Sequence, residues 1–321
     1  MKALWLDEGP LPLVRDDVAR PSPGEGEALL RVRLAGVCAT DLELTRGYQP
    51  FRGVLGHEFV GEIADAPDAP ARIGERVVGE INVACGNCRE CGDGRPTHCT
   101  RRRVAGIRAH DGAFAEFLSL PLRNLHRVPD GVSDEAAVFA EPLAAALEIP
   151  RQIQVSPDRD ILVVGAGRLG QLIARVLRLN GCALTVVARH ARQRALLKAV
   201  GISWIAEDGV PAREFDLVVE ATGSPGGFSL ARRALRPRGT LVLKSTYSGL
   251  LQADFSSLVV DEITLVGSRC GPFPGALRLL AQRLVDPIPL IDAHFPLTDA
   301  VAALGRAAEP GVMKVVIDCR R

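Results

Sequence analysis

Four cysteines, Cys85, Cys88, Cys91 and Cys99, stand close enough along the chain for one cation to gather them all. Thiolates at such short spacing suit tetrahedral zinc, and four sulfurs leave no coordination position open, so such a site is structural. The spacing departs from the two-pair pattern of zinc fingers, and a disulfide reading would require an oxidising compartment. A second chemical signal is Gly165-Ala-Gly-Arg-Leu-Gly170, which follows the apolar run Ile161 to Val164 and precedes a segment, Gln171 to Leu179, with apolar positions at helical spacing. Strand, glycine turn and helix in that order form the dinucleotide-binding fingerprint. Gly165 permits the tight turn, Gly167 lets the backbone approach a pyrophosphate, and Gly170 lets the helix pack closely on the strand. The phosphates then face the free N–H groups and the positive end of the helix dipole.

A third set is scattered. It comprises Cys38, Thr40 and Asp41, then His57 and Glu58 in a glycine-marked apolar segment, then Glu141-Pro-Leu143. Taken singly, each has an ordinary reading: a small buried thiol, a helix cap, a hydrogen-bonded histidine beside a surface carboxylate. The run Arg101-Arg-Arg103 beside the cysteines reads as a solvated or subunit-facing loop rather than a nucleic-acid contact.

The elements that must position these groups fall into two styles. The first part is β-rich, with strands expected over Ala28–Leu34 and Gly112–Leu120 and a helix capped by Ser133. From Pro157 onward, strand and helix alternate. Strands are expected at 161–164, 184–187, 215–220, 240–243 and 263–267, with helices at 191–200 and 228–235 between them, as in a doubly wound parallel sheet. A helix over 276–284 and a strand over 312–318 follow. No repeat or low-complexity segment is present.

With 321 residues the chain can form two domains, and 47% hydrophobic against 24% charged residues fits a globular protein. A formal net charge of +1 gives no reason to expect nucleic acid or a membrane surface as partner. Asp7 and Glu8 interrupt the N-terminal segment, and no apolar run is long enough to span a bilayer, so a cytoplasmic protein is expected. The eight cysteines are then metal ligands or thiols.

Together, Cys38-Ala-Thr-Asp41, Gly56-His-Glu58, the four-cysteine lobe, Glu141-Pro-Leu143, the glycine fingerprint and Glu220-Ala-Thr-Gly223 resemble the zinc-dependent medium-chain dehydrogenase/reductase family. The likeness covers almost the whole chain and points toward the polyol and threonine dehydrogenase branch, where Glu-Pro-Leu replaces a cysteine ligand of the liver-type alcohol dehydrogenases. It implies an α/β protein: a GroES-like β-rich catalytic domain over 1–147 and 269–321, and a Rossmann domain over 148–268. It implies a catalytic zinc on Cys38 and His57, with Glu58 or Glu141 at the remaining protein position, and a structural zinc on the four cysteines. Thr40 then passes the alcohol proton outward. Glu43 stands where many relatives have a histidine as the outer proton relay. The resemblance places Arg168, Leu169, Thr222, Gly223, Gly267 and Lys314 in the cofactor pocket with the three glycines. Tyr48 and Phe51, in a short loop, would help shape the substrate pocket, and Arg269 lies near the cleft or in a plain ion pair. The implied activity is reversible hydride transfer between a secondary alcohol or polyol and NAD(P), in a homodimer or homotetramer with no membrane or nucleic-acid partner. The alternatives are a zinc-free reductase of the same superfamily, which would lack the ligand residues, and a non-catalytic dinucleotide- and zinc-binding regulator, which would need no open metal.

Cofactor choice follows from the end of the second Rossmann strand. NAD sites place an acid there for the ribose 2′-hydroxyl. Here no carboxylate lies between Thr185 and Ala195; Arg189 holds the position, and Arg192 and Arg194 follow. A guanidinium would neutralise and hydrogen-bond a 2′-phosphate, so NADP is favoured over NAD.

Overall fold

The computed structural model describes residues 1–7, 11–247 and 249–321; Glu8, invoked above at the N-terminus, lies outside them. The chain forms two compact units. One comprises Met1–Glu141 and Ala276–Arg321, and the other, Pro142–Gly275, is inserted between these two stretches.

In the first unit the ten-residue strand Glu27–Gly36 lies inside a seven-stranded sheet and is buried along most of its length. It pairs antiparallel with Glu58–Asp65, Phe117–Pro121 and Lys314–Asp318. The registers decide where the chemistry goes. Gly36 lies opposite both Glu58 and Val316, so Cys38, His57, Glu58 and Lys314 all arrive at one end of the central strand. Leu30, Val32, Phe59, Ile63, Leu118 and Ile317 fill the core on this sheet. The expected strand over 112–120 is shorter and later, Phe117–Pro121. Its first half is instead tied by Gly112, Ala113 and Phe114 N–H groups to the carbonyls of Val54, Gly56 and Leu55. A parallel strand, Ile291–Pro296, was not marked in the sequence because its residues are only half-buried and do not alternate.

The second unit holds a six-stranded parallel sheet in the order Ser203–Ile205, Ala183–Val187, Asp160–Val164, Phe215–Glu220, Leu235–Leu243, Thr264–Gly267. The chain starts in the middle, winds to one edge, returns and winds to the other, which creates a switch point beside Asp160–Val164. Ile161, Leu162, Val163 and Val164 are buried, as parallel strands covered on both faces require. Ser203–Ile205 escaped the sequence pattern because it is three residues long and its Trp204 is exposed. Helix ends differ by a few residues from those expected. Pro225–Ala234 gives way to a strand that already begins at Leu235, and Phe273–Ala281 starts early because Pro274 is tolerated in a first turn. Ser133 caps a single turn, Asp134–Ala137, and Glu141-Pro-Leu143 belongs to a separate helix, Ala140–Gln152.

The glycine fingerprint shows why each glycine is needed. Gly165 has φ +110°, and a Cβ on Gly170 would stand 1.9 Å from the Gly165 carbonyl oxygen. Gly170→Ala must therefore push the helix Arg168–Arg178 off its strand. The expected result is a loss of about 1–3 kcal/mol in stability, as for overpacking elsewhere, with dinucleotide affinity falling in parallel. A thermal scan with a fluorescence titration checks both, and an unaltered affinity would show that this close approach does not shape the loop.

Candidate functional site

The first site is built on the turn from strand to helix after Gly36. Cys38 is the N-cap of helix Ala39–Thr45, and Asp41, three residues on, accepts the Cys38 N–H at 2.8 Å. The other Asp41 oxygen lies 3.1 Å from His57 Nδ1. A carboxylate can only accept, so Nδ1 carries the proton and the His57 Nε2 lone pair is left for a metal. Asp41 is fully buried and His57 nearly so. Burial disfavours charge on the imidazole, but the Asp41 carboxylate and the Cys38 sulfur outweigh it and hold the ring well above its usual pKa. The local field thus attracts a cation.

Ligand atoms of Cys38, His57 and Glu58 all lie within 4.8 Å of one another. Thiolate, imidazole and carboxylate with room for one more ligand fit a catalytic zinc site. Glu141 is not part of this group; it sits half-buried in the first turn of Ala140–Gln152. Glu58 forms an ion pair with Lys314, both side chains being about 2–3% exposed. Room for the pair exists because residue 36 is glycine: a Cβ there would stand 2.8 Å from Glu58 Oε2. Lys314, expected at the cofactor, is placed here with its ammonium on Glu58 and its charge 5.3 Å from the Phe139 ring centre. Thr40 Oγ1 is 3.9 Å from Cys38 Sγ, beside the metal position. Glu43 is partly exposed and paired with Arg46 at 2.8 Å. Tyr48 is exposed, while Phe51 packs on the core.

The second cluster is the cysteine lobe. Sγ–Sγ separations of 3.5 Å for Cys88–Cys91, 3.8 Å for Cys88–Cys99 and 3.5 Å for Cys85–Cys99 match sulfurs around one zinc, for which tetrahedral bonds of ~2.3 Å imply ~3.8 Å. They are far too long for disulfides. The N–H groups of Cys91 and Thr100 pull the Cys88 thiol down to about 6, whereas burial and the neighbouring sulfurs push Cys91 up to about 11. Arg101, read above as a loop residue, directs its guanidinium to Cys85 Sγ at 3.5 Å and to Asn87.

The third region lies at the carboxyl ends of the parallel strands. Gly167 caps helix Arg168–Arg178, and a Cβ on it would meet nothing within 4 Å, so the helix N-terminus opens onto free space as a phosphate cradle does. Arg168 and Leu169 are half-buried on the first turn. Beneath them Arg175 donates to Gln171 Oε1 at 2.7 Å. Because arginine only donates, the Gln171 amide nitrogen must face the carbonyls of Ala166 and Gln193, 3.3 and 3.2 Å away. Gln193 in turn accepts the N–H groups of Arg189 and His190. One buried chain of polar groups therefore joins the glycine turn to the end of the second strand. Its members carry no motif and were not singled out in the sequence.

Arg189 bonds Glu207, with Nε at 2.9 Å and Nη2 at 2.7 Å. Arg194 donates to the carbonyls of Ala188 and Arg189 and lies 4.5 Å over the Trp204 ring. At the fourth strand, fully buried Glu220 accepts from the Thr222 and Gly223 N–H groups, the Thr222 hydroxyl and the Tyr247 hydroxyl, fixing the Thr222–Gly223 turn. Burial and that bond push the Tyr247 phenol up. Gly267 ends the last strand, its carbonyl accepting from Gln152, and buried Lys244 donates to Ser268 and to the carbonyl of exposed Arg269.

Comparison with known proteins matches this architecture. Residues 24–130 match the alcohol dehydrogenase GroES-like domain and residues 169–284 the zinc-binding dehydrogenase domain. The L-threonine 3-dehydrogenase of Chelativorans sp. (strain BNC1) is 31% identical, over 83% of this chain and 80% of that protein. The chain belongs to the zinc-binding alcohol dehydrogenase family. Its fold is a GroES-like domain joined to a Rossmann sheet, and it is an NAD(P)-dependent oxidoreductase of CH–OH substrates. A protein described as a zinc-binding dehydrogenase from Sinorhizobium meliloti 1021, solved bound to NADP, superposes with TM-score 0.91 at 26% identity, over 99% of this chain and 98% of that one. An alcohol dehydrogenase (rspB) from E. coli CFT073, solved with NADH, superposes with TM-score 0.89 at 27% identity, over 99% of both. Among the described residues no helix is long and apolar enough to cross a membrane.

Asp41 is the orienting group that sequence reading passed over as part of a motif. Asp41→Asn should weaken zinc at Cys38 and His57 by about 10–100-fold, the usual effect of losing such a partner, and leave the cysteine-lobe zinc in place. Competition against a chromophoric chelator separates the two ions; equal loss from both sites would refute this role.

Proposed function

We propose that the protein oxidises a secondary alcohol carrying further polar groups, reversibly, with NADP preferred over NAD. The convergence of Cys38, His57 and Glu58, with His57 oriented by Asp41, carries this reading. Cys38 and His57 would hold a zinc ion, which when bound would supply the Lewis acidity that lowers the pKa of an alcohol. The chain's own groups do the rest. Asp41 keeps His57 in the tautomer that presents Nε2. Lys314 balances the Glu58 charge, so that carboxylate can adjust to the metal without standing alone in the core. Thr40, next to Cys38, takes the alcohol proton, and Glu43, on the next turn of the same helix, is the outer carboxylate of the route. The glycine turn, Thr222, Gly223 and Gly267 hold the dinucleotide at the carboxyl ends of the strands.

The L-threonine 3-dehydrogenase relative supports a polar secondary alcohol as the substrate class. A preference for NADP rests on Arg189, the only side chain in the expected acid's place. No disulfide joins the cysteines among the described residues, which fits a reducing compartment, and we assign the protein to the cytoplasm, as a homo-oligomer.

An oxidation panel of secondary alcohols, polyols and amino alcohols with both cofactors, followed by absorbance of the reduced nicotinamide, tests the activity. Cys38→Ser should cut turnover by about 1000-fold or more, since the metal's polarisation is worth several kcal/mol, with dinucleotide binding retained. Full activity in this variant would overturn the zinc role.

Replacing Arg189 tests the cofactor preference. Arg189→Ala should lower kcat/KM with NADP by roughly tenfold or more, the value of a charge-assisted contact, and barely alter NAD. A wild-type preference for NAD, unmoved by this change, would show that Arg189 does not read the ribose.

A further inference from the structure

Glu207 closes the short strand Ser203–Ile205 at the carboxyl edge of the sheet, in the turn Glu207–Gly209. The neighbouring strand ends two residues before Arg189, and the two strand ends are locked by the Val187–Ile205 register and the Ala188 N–H on the Ile205 carbonyl. Across this edge the Arg189 guanidinium donates through Nε to one Glu207 oxygen at 2.9 Å, and Nη2 stands in ion-pair contact with the same oxygen at 2.7 Å. The Arg189 side chain is 62% exposed and that of Glu207 43%, so a ligand arriving at this edge meets both. Arg194, on the helix that follows, is spent on backbone carbonyls and the Trp204 face.

We propose that Glu207 is a specificity-determining residue for the cofactor: through its bond to Arg189 it limits the preference for a 2′-phosphate and sustains use of a 2′-hydroxyl. This rests on the reading of Arg189 as the ribose-side residue. A carboxylate on the guanidinium neutralises the charge that a 2′-phosphate needs, and it repels the phosphate itself. A ribose hydroxyl suffers neither penalty and can donate to the free carboxylate oxygen. The second Rossmann strand lacks the usual acid, and Glu207 supplies one from the next strand.

The test is Glu207→Gln, with Asp208→Asn as control; Asp208 is the exposed neighbour, carries the same charge and makes no bond to Arg189 among those described. Dissociation constants of NADP and NAD, by protein fluorescence, are measured with kcat/KM for each. Glu207→Gln should raise the NADP-to-NAD ratio about tenfold, less at high salt because the groups are exposed, and Asp208→Asn by well under that. In an Arg189→Ala background the Glu207→Gln shift should shrink clearly, because the part that acts through the guanidinium is gone and only the direct effect of the carboxylate on the ribose remains. An unchanged ratio, an equal shift in the control, or the same shift without Arg189 would each overturn the proposal. If the wild type prefers NAD, the NADP reading fails, yet the ratio change on Glu207→Gln still decides the role of Glu207.

Discussion

The first unit depends on the pairing of one strand. Glu27–Gly36 is buried between neighbours, so its N–H and C=O groups must be satisfied by other strands, and three different stretches of chain do this. A slip of one residue would turn every side chain to the opposite face. Leu30 and Val32 in the core forbid such a slip, and the same register that buries them sets Gly36 against Glu58 and Val316. The metal ligands are thus aligned by apolar packing several residues away. The ion pair of Glu58 and Lys314 is the polar counterpart of that alignment, since neither charge is tolerable in the core without the other.

The second unit uses the opposite arrangement. Its glycine turn, first strand and first helix are contiguous in sequence, and only the other end of the dinucleotide pocket requires distant parts. The chain from Arg175 through Gln171 to Gln193 supplies that link, one guanidinium donating into a run of neutral amides. Buried networks of this kind are rigid when every member is satisfied. The glycine turn and the end of the second strand are therefore framed by one set of bonds, and the exposed side chains of Arg189 and Glu207 lie outside that frame.

What could be read from sequence was what is local. The glycine fingerprint and the cysteine lobe announce themselves because turn geometry and zinc coordination demand fixed residues at short spacing. The parallel sheet was legible from continuous apolar runs such as Ile161–Val164. Cys38 and His57 were ordinary residues until their motifs were taken together, because 19 positions separate them and only strand register brings them side by side. Asp41 stood in a motif without a role of its own, and Gln171 and Glu207 had no signal at all. Each acts through a partner chosen by tertiary contact, and a lone carboxylate or amide looks the same in the sequence whether it faces solvent or orients a ligand. The short strands at 203–205 and 291–296 were hidden because they are half-exposed edges with no buried pattern.

The return of the last strand bears on the order of assembly. Lys314 lies 256 positions beyond Glu58, with the whole inserted unit in between. During synthesis the inserted unit can fold as soon as Gly267 has left the ribosome, since all six of its strands are then available. The first unit cannot: one edge of its central strand stays unpaired at Leu34–Gly36, and Glu58 stands without its counter-charge, until Lys314–Asp318 emerges. Metal loaded before that moment would meet Cys38 and His57 on an unfinished sheet. Emergence of Lys314–Asp318 thus acts as the checkpoint after which the paired metal site can exist, by which time every strand of the inserted unit has already been made.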